Sequence, residues 1–150
     1  MTKTLITILV LALGPGACGG KSKPAETAAP DNRSLFERLG GLPAITAVVK
    51  DFVATTGADP RISMFFTNAD IPKLEQAMVD QICEATGGPC QYKGKSMKES
   101  HTGMKVRKEH FEAFMDDLTK TLDKFKVPER EKGEVLAAFR SMEADVVENP

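Results

Sequence analysis

From residue 34 onward, apolar side chains recur with a helical period. Ser34-Leu35-Phe36-Glu37 sets a hydroxyl at a helix start and a carboxylate three residues later, the arrangement of a capping box. Gly40-Gly41 follow, so a short helix is predicted to stop there. Pro43 suits the first turn of a second helix, which runs to about Thr56 with Ile45, Val48, Val49 and Phe52 on its buried side. Gly57 and Asp59-Pro60 end it. Ile62 to Phe66 is too brief for a stable helix and is predicted to pack as a turn. Asp70 caps a third helix with Pro72 in its first turn, and Leu74, Met78, Gln81 and Ile82 share one face before Gly87-Gly88. A short helix carries Met97 and His101 and ends at Gly103. From about Lys108 a long helix sets Phe111, Phe114, Leu118, Leu122 and Phe125 in one stripe. Pro128 opens a last helix, in which Val135, Phe139, Met142 and Val146 recur at heptad-like spacing. No stretch alternates with period two for long enough to make a strand, and there is no internal repeat. The fold class is all-α.

The first 32 residues follow a different pattern. Residues 4–13 are an apolar run behind Lys3, too short for a permanent membrane span, and a small-residue tail leads to Cys18. The run resembles a bacterial lipoprotein signal. On that reading residues 1–17 are removed and Cys18 becomes a lipidated N-terminus anchoring the chain to a membrane. Pro15 departs from the branched aliphatic residue usual three positions before the cysteine, and ordinary cleavage after Ala17 is the alternative. Either way the chain is exported, facing the periplasm or exterior. Residues 18–32 contain no large apolar side chain and read as a tether. The folded domain is then 33–150, enough for one modest core.

Composition narrows the partners. The chain has 20 basic and 21 acidic residues, and loss of Lys3 with residues 1–17 leaves 19 against 21. Such near-neutrality gives no support for nucleic-acid binding, which wants a basic face. Cys83 and Cys90 enclose six residues, and export permits a disulfide between them. Closing so short a loop is worth about 2 kcal/mol. A metal site from the two thiolates lacks a nearby second pair of ligands.

The chemistry concentrates in residues 92–101, which hold the only tyrosine, Tyr92, and one of two histidines, His101. Met97 and His101 lie four apart and share a helix face. A thioether beside an imidazole can form one wall for a flat apolar cofactor, with the imidazole as metal ligand; a half-buried histidine beside a core methionine is the alternative. A hydrolase finds no nucleophile–base pair, since the only other histidine is His110.

Taken together, Phe-Glu-Arg-Leu-Gly-Gly at 36–41, Phe65-Phe66, Gly87-Gly88-Pro89, Tyr92-x-Gly94, Met97-x-x-x-His101 and Phe111 resemble the group 1 truncated haemoglobins over roughly 33–147. The resemblance implies a two-over-two helical sandwich around haem b. It makes His101 the proximal ligand to haem iron, bonding as neutral imidazole. It sets Phe66 against the porphyrin face, Met97 and Phe111 on the proximal side and Tyr92 near the haem edge, with Phe52 of the Asp51-Phe52 pair also beside the cofactor. His110 matches no ligand position and reads as a surface or helix-terminal residue.

The chain departs from the family on the distal side. Where the family commonly has a tyrosine after Asp-Phe, this chain has Val53, and where it often has a glutamine, this chain has Met78. Leu74 takes the position nearest the ligand, and Gln81 is the nearest alternative donor. A hydrogen-bond donor there is worth about 1–3 kcal/mol to O2, about tenfold to a hundredfold, and much less to CO. The expectation is a haem protein that binds O2 weakly and CO or NO comparatively well, without an assigned catalytic step; any catalysis would be haem-dependent redox chemistry of NO or O2. The alternatives are a globin-like interaction module without haem, and an electron-transfer protein with Met78 as a sixth, thioether ligand.

Overall fold

A computed structural model describes residues 31–148. The signal at 1–17, Cys18 and nearly all of the tether lie outside the described residues. Among the described residues seven α-helices follow in order: α1 (Leu35–Arg38), α2 (Gly41–Ala58), α3 (Ile71–Ala85), α4 (Met97–His101), α5 (Lys108–Lys124), α6 (Glu129–Arg140) and α7 (Glu143–Val146). A 3-10 turn, Ser63–Phe65, stands where a turn was predicted.

Local chemistry sets most of the boundaries. Ser34 and Glu37 form the reciprocal capping box at α1. The Asp70 side chain accepts from the Lys73 amide at α3, with proline in the first turn. Among the described residues there is no strand. Gly88 is a close-approach position: an added Cβ would lie 2.5 Å from the Phe36 ring and 2.7 Å from Cys83 Sγ. The end of α3 therefore seats directly on α1, reinforced by the Phe36 amide donating to Thr86 O at 2.9 Å.

α2 packs on α3 and α5, and α5 packs on α6. One core cluster joins Phe52, Phe111, Met115, Leu118, Leu122, Val135 and Phe139. A second joins Ile45, Val49, Val53 and Val79 between α2 and α3. Arg38 ties α1 to α6 through Glu131 and Glu134, with only 7% of its side chain exposed. The cysteine pair is bonded: Cys83 and Cys90 form a disulfide with 5.7 Å between their α-carbons.

Two expectations change. The single last helix is two, because Met142 donates its amide to Phe139 O in a tighter turn and Ser141 Oγ donates to Ala138 O. Phe125 leaves the stripe of α5. It caps the helix and is 39% exposed, because the chain turns at Lys126, whose φ is 55°.

Candidate functional site

α4 is short, and its ends are fixed by hydrogen bonds. Ser96 Oγ accepts from the Glu99 amide at 3.2 Å, and the Glu99 carboxylate accepts from the Ser96 amide at 2.9 Å. The Ser96 hydroxyl, and then its amide, hold the Glu99 carboxyl below the usual carboxylate range. At the other end, His101 Nδ1 lies 2.7 Å from Met97 O. A carbonyl only accepts, so Nδ1 is the donor here, and Nε2 is the ring nitrogen not used in this bond. Such a bond orients the imidazole in the way that metal-ligating histidines are oriented, with Nε2 as the nitrogen left for a metal.

His101 lines a cavity of about 360 Å³, a size that suits a small-molecule or cofactor site. Leu74, Ala77, Met78 and Gln81 give one wall from α3. Met97, Ser100, Met104 and Val106 line the cavity from the segment that carries His101. Phe111, Phe114 and Phe139 line it from α5 and α6, and Phe65, Phe66, Tyr92, Met142 and Val146 complete the lining. The Tyr92 hydroxyl donates to Lys95 O at 2.8 Å, and its ring covers Gly94 so closely that a Cβ there would fall 2.4 Å from Cζ. Gly94 thus makes room for the ring. Apolar walls around one presented imidazole nitrogen fit a flat, largely apolar group that contributes its own metal.

Of the residues predicted to surround a cofactor, Phe66, Leu74, Met78, Gln81, Tyr92, Met97, His101 and Phe111 line this cavity. Phe52 does not. It is 1% exposed and packs edge-on against the lining residue Phe114 at 4.8 Å. Val53 does not either. It packs with Ile45, Val49 and Val79, because its place on α2 faces α3, and it borders a separate open groove with Met64 and Ile71. Phe66 borders both spaces. Gln81 Nε2 lies 3.7 Å from Met142 Sδ, so the one amide on the α3 wall is engaged with a thioether.

His110 is helix-terminal but not at the surface. It is 9% exposed, lines the cavity, and stacks edge-on with Phe65 at 5.0 Å. Its Nδ1 accepts from the Arg107 amide at 3.1 Å, satisfying a donor at the start of α5. The pattern hid this, since a polar residue in a first helical turn looks solvated. Met104, Val106, Phe114 and Phe139 were also missed as lining; the Met and Phe richness of the α5 and α6 stripes was the signal for the last two.

The bacterial-like globin family matches residues 34–148. A group 1 truncated haemoglobin of Tetrahymena thermophila is 33% identical over 112 residues, covering 75% of this chain and 93% of that protein. The chain belongs to the group 1 truncated haemoglobins. A truncated haemoglobin from Tetrahymena pyriformis, solved in the Fe(III) form, superposes with a TM-score of 0.74 at 32% identity, covering 78% of this chain and all of that one. The two-over-two haemoglobin of Synechococcus sp. PCC 7002, in the cyanomet state with covalently attached haem, gives 0.72 at 31%, covering 77% and 98%. Membership in this family implies a haem-binding globin, and the cavity fits that group.

Membership also corrects the expected partners of this truncated haemoglobin. The two described cysteines are bonded to each other, and the family match begins at residue 34, beyond Cys18. The lipid anchor at Cys18 is not retained; a diatomic gas is the partner that the globin fold supports.

Proposed function

We propose that this truncated haemoglobin holds haem b through His101 Nε2 and binds a diatomic gas on the opposite side of the cavity, with weak affinity for O2. One observation carries the reading: His101 stands on the wall of an apolar cavity with Nδ1 committed to Met97 O. Haem, when bound, supplies an iron centre open to a small gas molecule. His101 would hold the iron through Nε2, with the Met97 carbonyl fixing the ring plane. Phe66 and Phe111 offer apolar surface to a flat macrocycle. Leu74 and Met78 keep water out of the gas-binding side, and neither carries a hydrogen-bond donor. O2 therefore lacks the stabilisation of about 1–3 kcal/mol that a donor gives it, whereas CO loses little. The reading includes no catalytic step. Export is part of the proposal, supported by the Cys83–Cys90 bond, which suits an oxidising compartment.

The test is an absorbance spectrum of the purified chain with added haemin, beside H101A. The parent is expected to take up one equivalent with a sharp Soret band, weakened or shifted in the variant. Ferrous protein titrated with CO and then O2 should show tight CO and weak O2. No stoichiometric uptake would sink the reading. A low-spin ferric spectrum lost in M78L would replace it with a Met78-ligated electron-transfer protein.

A further inference from the structure

The loop that follows His101 is held from outside. Gly103 has a φ of 85° and Lys105 a φ of 57°. The first suits glycine; the second places a lysine in the left-handed region that side chains avoid, and such a conformation persists only where surrounding contacts impose it. Those contacts come from one residue beyond α7. The Glu148 carboxylate accepts from the Gly103 amide at 2.6 Å through Oε1 and from the Lys105 amide at 2.5 Å through Oε2. The Glu148 amide donates to Val106 O at 2.8 Å. Three hydrogen bonds thus join a single residue to three positions of the loop, 103, 105 and 106. Two residues earlier, Val146 lines the cavity, as do Met104 and Val106 in the loop itself.

α4 has only five residues, and its C-terminus is the residue His101. A helix this short has little rigidity of its own. Its C-terminal orientation depends on the path the chain takes next. We propose that Glu148 is a positioning residue for His101: its carboxylate fixes the 103–105 loop in a strained path, and so holds the imidazole at its angle to the cavity. The two backbone donors also hold the Glu148 carboxyl below the usual range, as a carboxylate anchored in its charged form requires. Glu148 lies 47 positions from His101 in the sequence, and its carboxylate is hydrogen-bonded to the loop amides rather than to the ring.

This inference rests on His101 being the haem ligand. The test compares the full chain with E148A, E148Q and the double variant E148A/K105G. Amide hydrogen exchange at Gly103 and Lys105 is measured first, without haem. Both amides should be protected in the parent and exposed in E148A. With haem, E148A should lose the group to an apoglobin acceptor about tenfold faster than the parent. Its ferrous iron–histidine stretching band should shift or broaden. E148Q keeps one acceptor oxygen but turns an NH₂ against the second amide, and should fall between. K105G removes the left-handed penalty, so E148A/K105G should recover part of the haem retention. If E148A alone fails to fold by circular dichroism, E148Q is judged in its place. Unchanged amide exchange, or parent-like haem loss and an unshifted band in a folded variant, would overturn the inference while leaving the gas-binding reading intact. A parent without haem uptake would overturn both.

Discussion

The two walls of the cavity are built on opposite plans. The His101 wall is set by hydrogen bonds: the Ser96–Glu99 box at one end of α4, the Met97 carbonyl behind the ring, and the Glu148 clamp beyond it. The α3 wall is set by packing. Leu74 and Met78 reach the cavity as bare apolar groups, and Gln81 turns its amide to Met142 Sδ. Hydrogen bonds are directional, so the first wall can orient a metal-binding lone pair. Apolar contact is not directional, so the second can exclude water and admit a small neutral molecule without steering it.

The largest effect should come from beneath both walls. Phe52→Ala should cost about 3–5 kcal/mol of stability, as buried aromatic deletions do. Its haem spectrum should keep the parent's band positions, and a shifted Soret maximum would show that Phe52 belongs to the wall after all. Met78→Gln adds a donor to the packed wall and should raise O2 affinity about tenfold to a hundredfold with little change for CO. Equal gains for both gases would mean that the added amide acts on something other than bound-ligand charge. Replacing Cys83 and Cys90 by serine should lower stability by about 2 kcal/mol in denaturant titration. Haem-loss rates should then tell whether the bond also matters to the seam between the walls.

Ser96→Ala should cost about 1 kcal/mol and loosen only the directional wall, seen as faster amide exchange across α4. The smallest effect is acid titration of the haem-free chain. Glu99 and Glu148 are both held below the ordinary carboxylate range by hydrogen bonds to their charged forms. Their contribution is complete above about pH 4.3 and is lost as pH falls through their lowered values. The melting temperature should drop there, and the drop should shrink in E148Q. Equal drops in both proteins would count against the carboxylate as anchor.

Much of this design was legible in the residue order. Ser34, Asp70, Ser96 and the prolines announce helix starts, because an N-cap is local chemistry. Met97 and His101 could be placed on one helix face from their spacing, but that spacing equally suits a core histidine, and the ligand role came only from the resemblance to the group 1 truncated haemoglobins. The division between α6 and α7 was not: apolar spacing runs through Ser141 and Met142 with no glycine or proline to mark a stop. Phe52 and Val53 could be placed on a buried face but not assigned to a layer, since depth depends on which helix crosses above. His110 and Glu148 were illegible for a shared reason. Each acts through backbone amides, and any residue except proline supplies one, so the partner leaves no trace in sequence.

The disulfide also sets a limit on how far the two walls can part. Cys83 belongs to α3 and Cys90 lies seven residues before Met97, so the packed wall and the directional wall are joined by a leash of fixed contour. Seven residues fully extended reach about 25 Å. A transient opening wide enough to release a cofactor therefore leaves the two halves of its berth within one domain diameter of each other. Reclosure becomes a short local search whose entropy cost grows only slowly with that leash. The chain is built to lose its grip without losing its place.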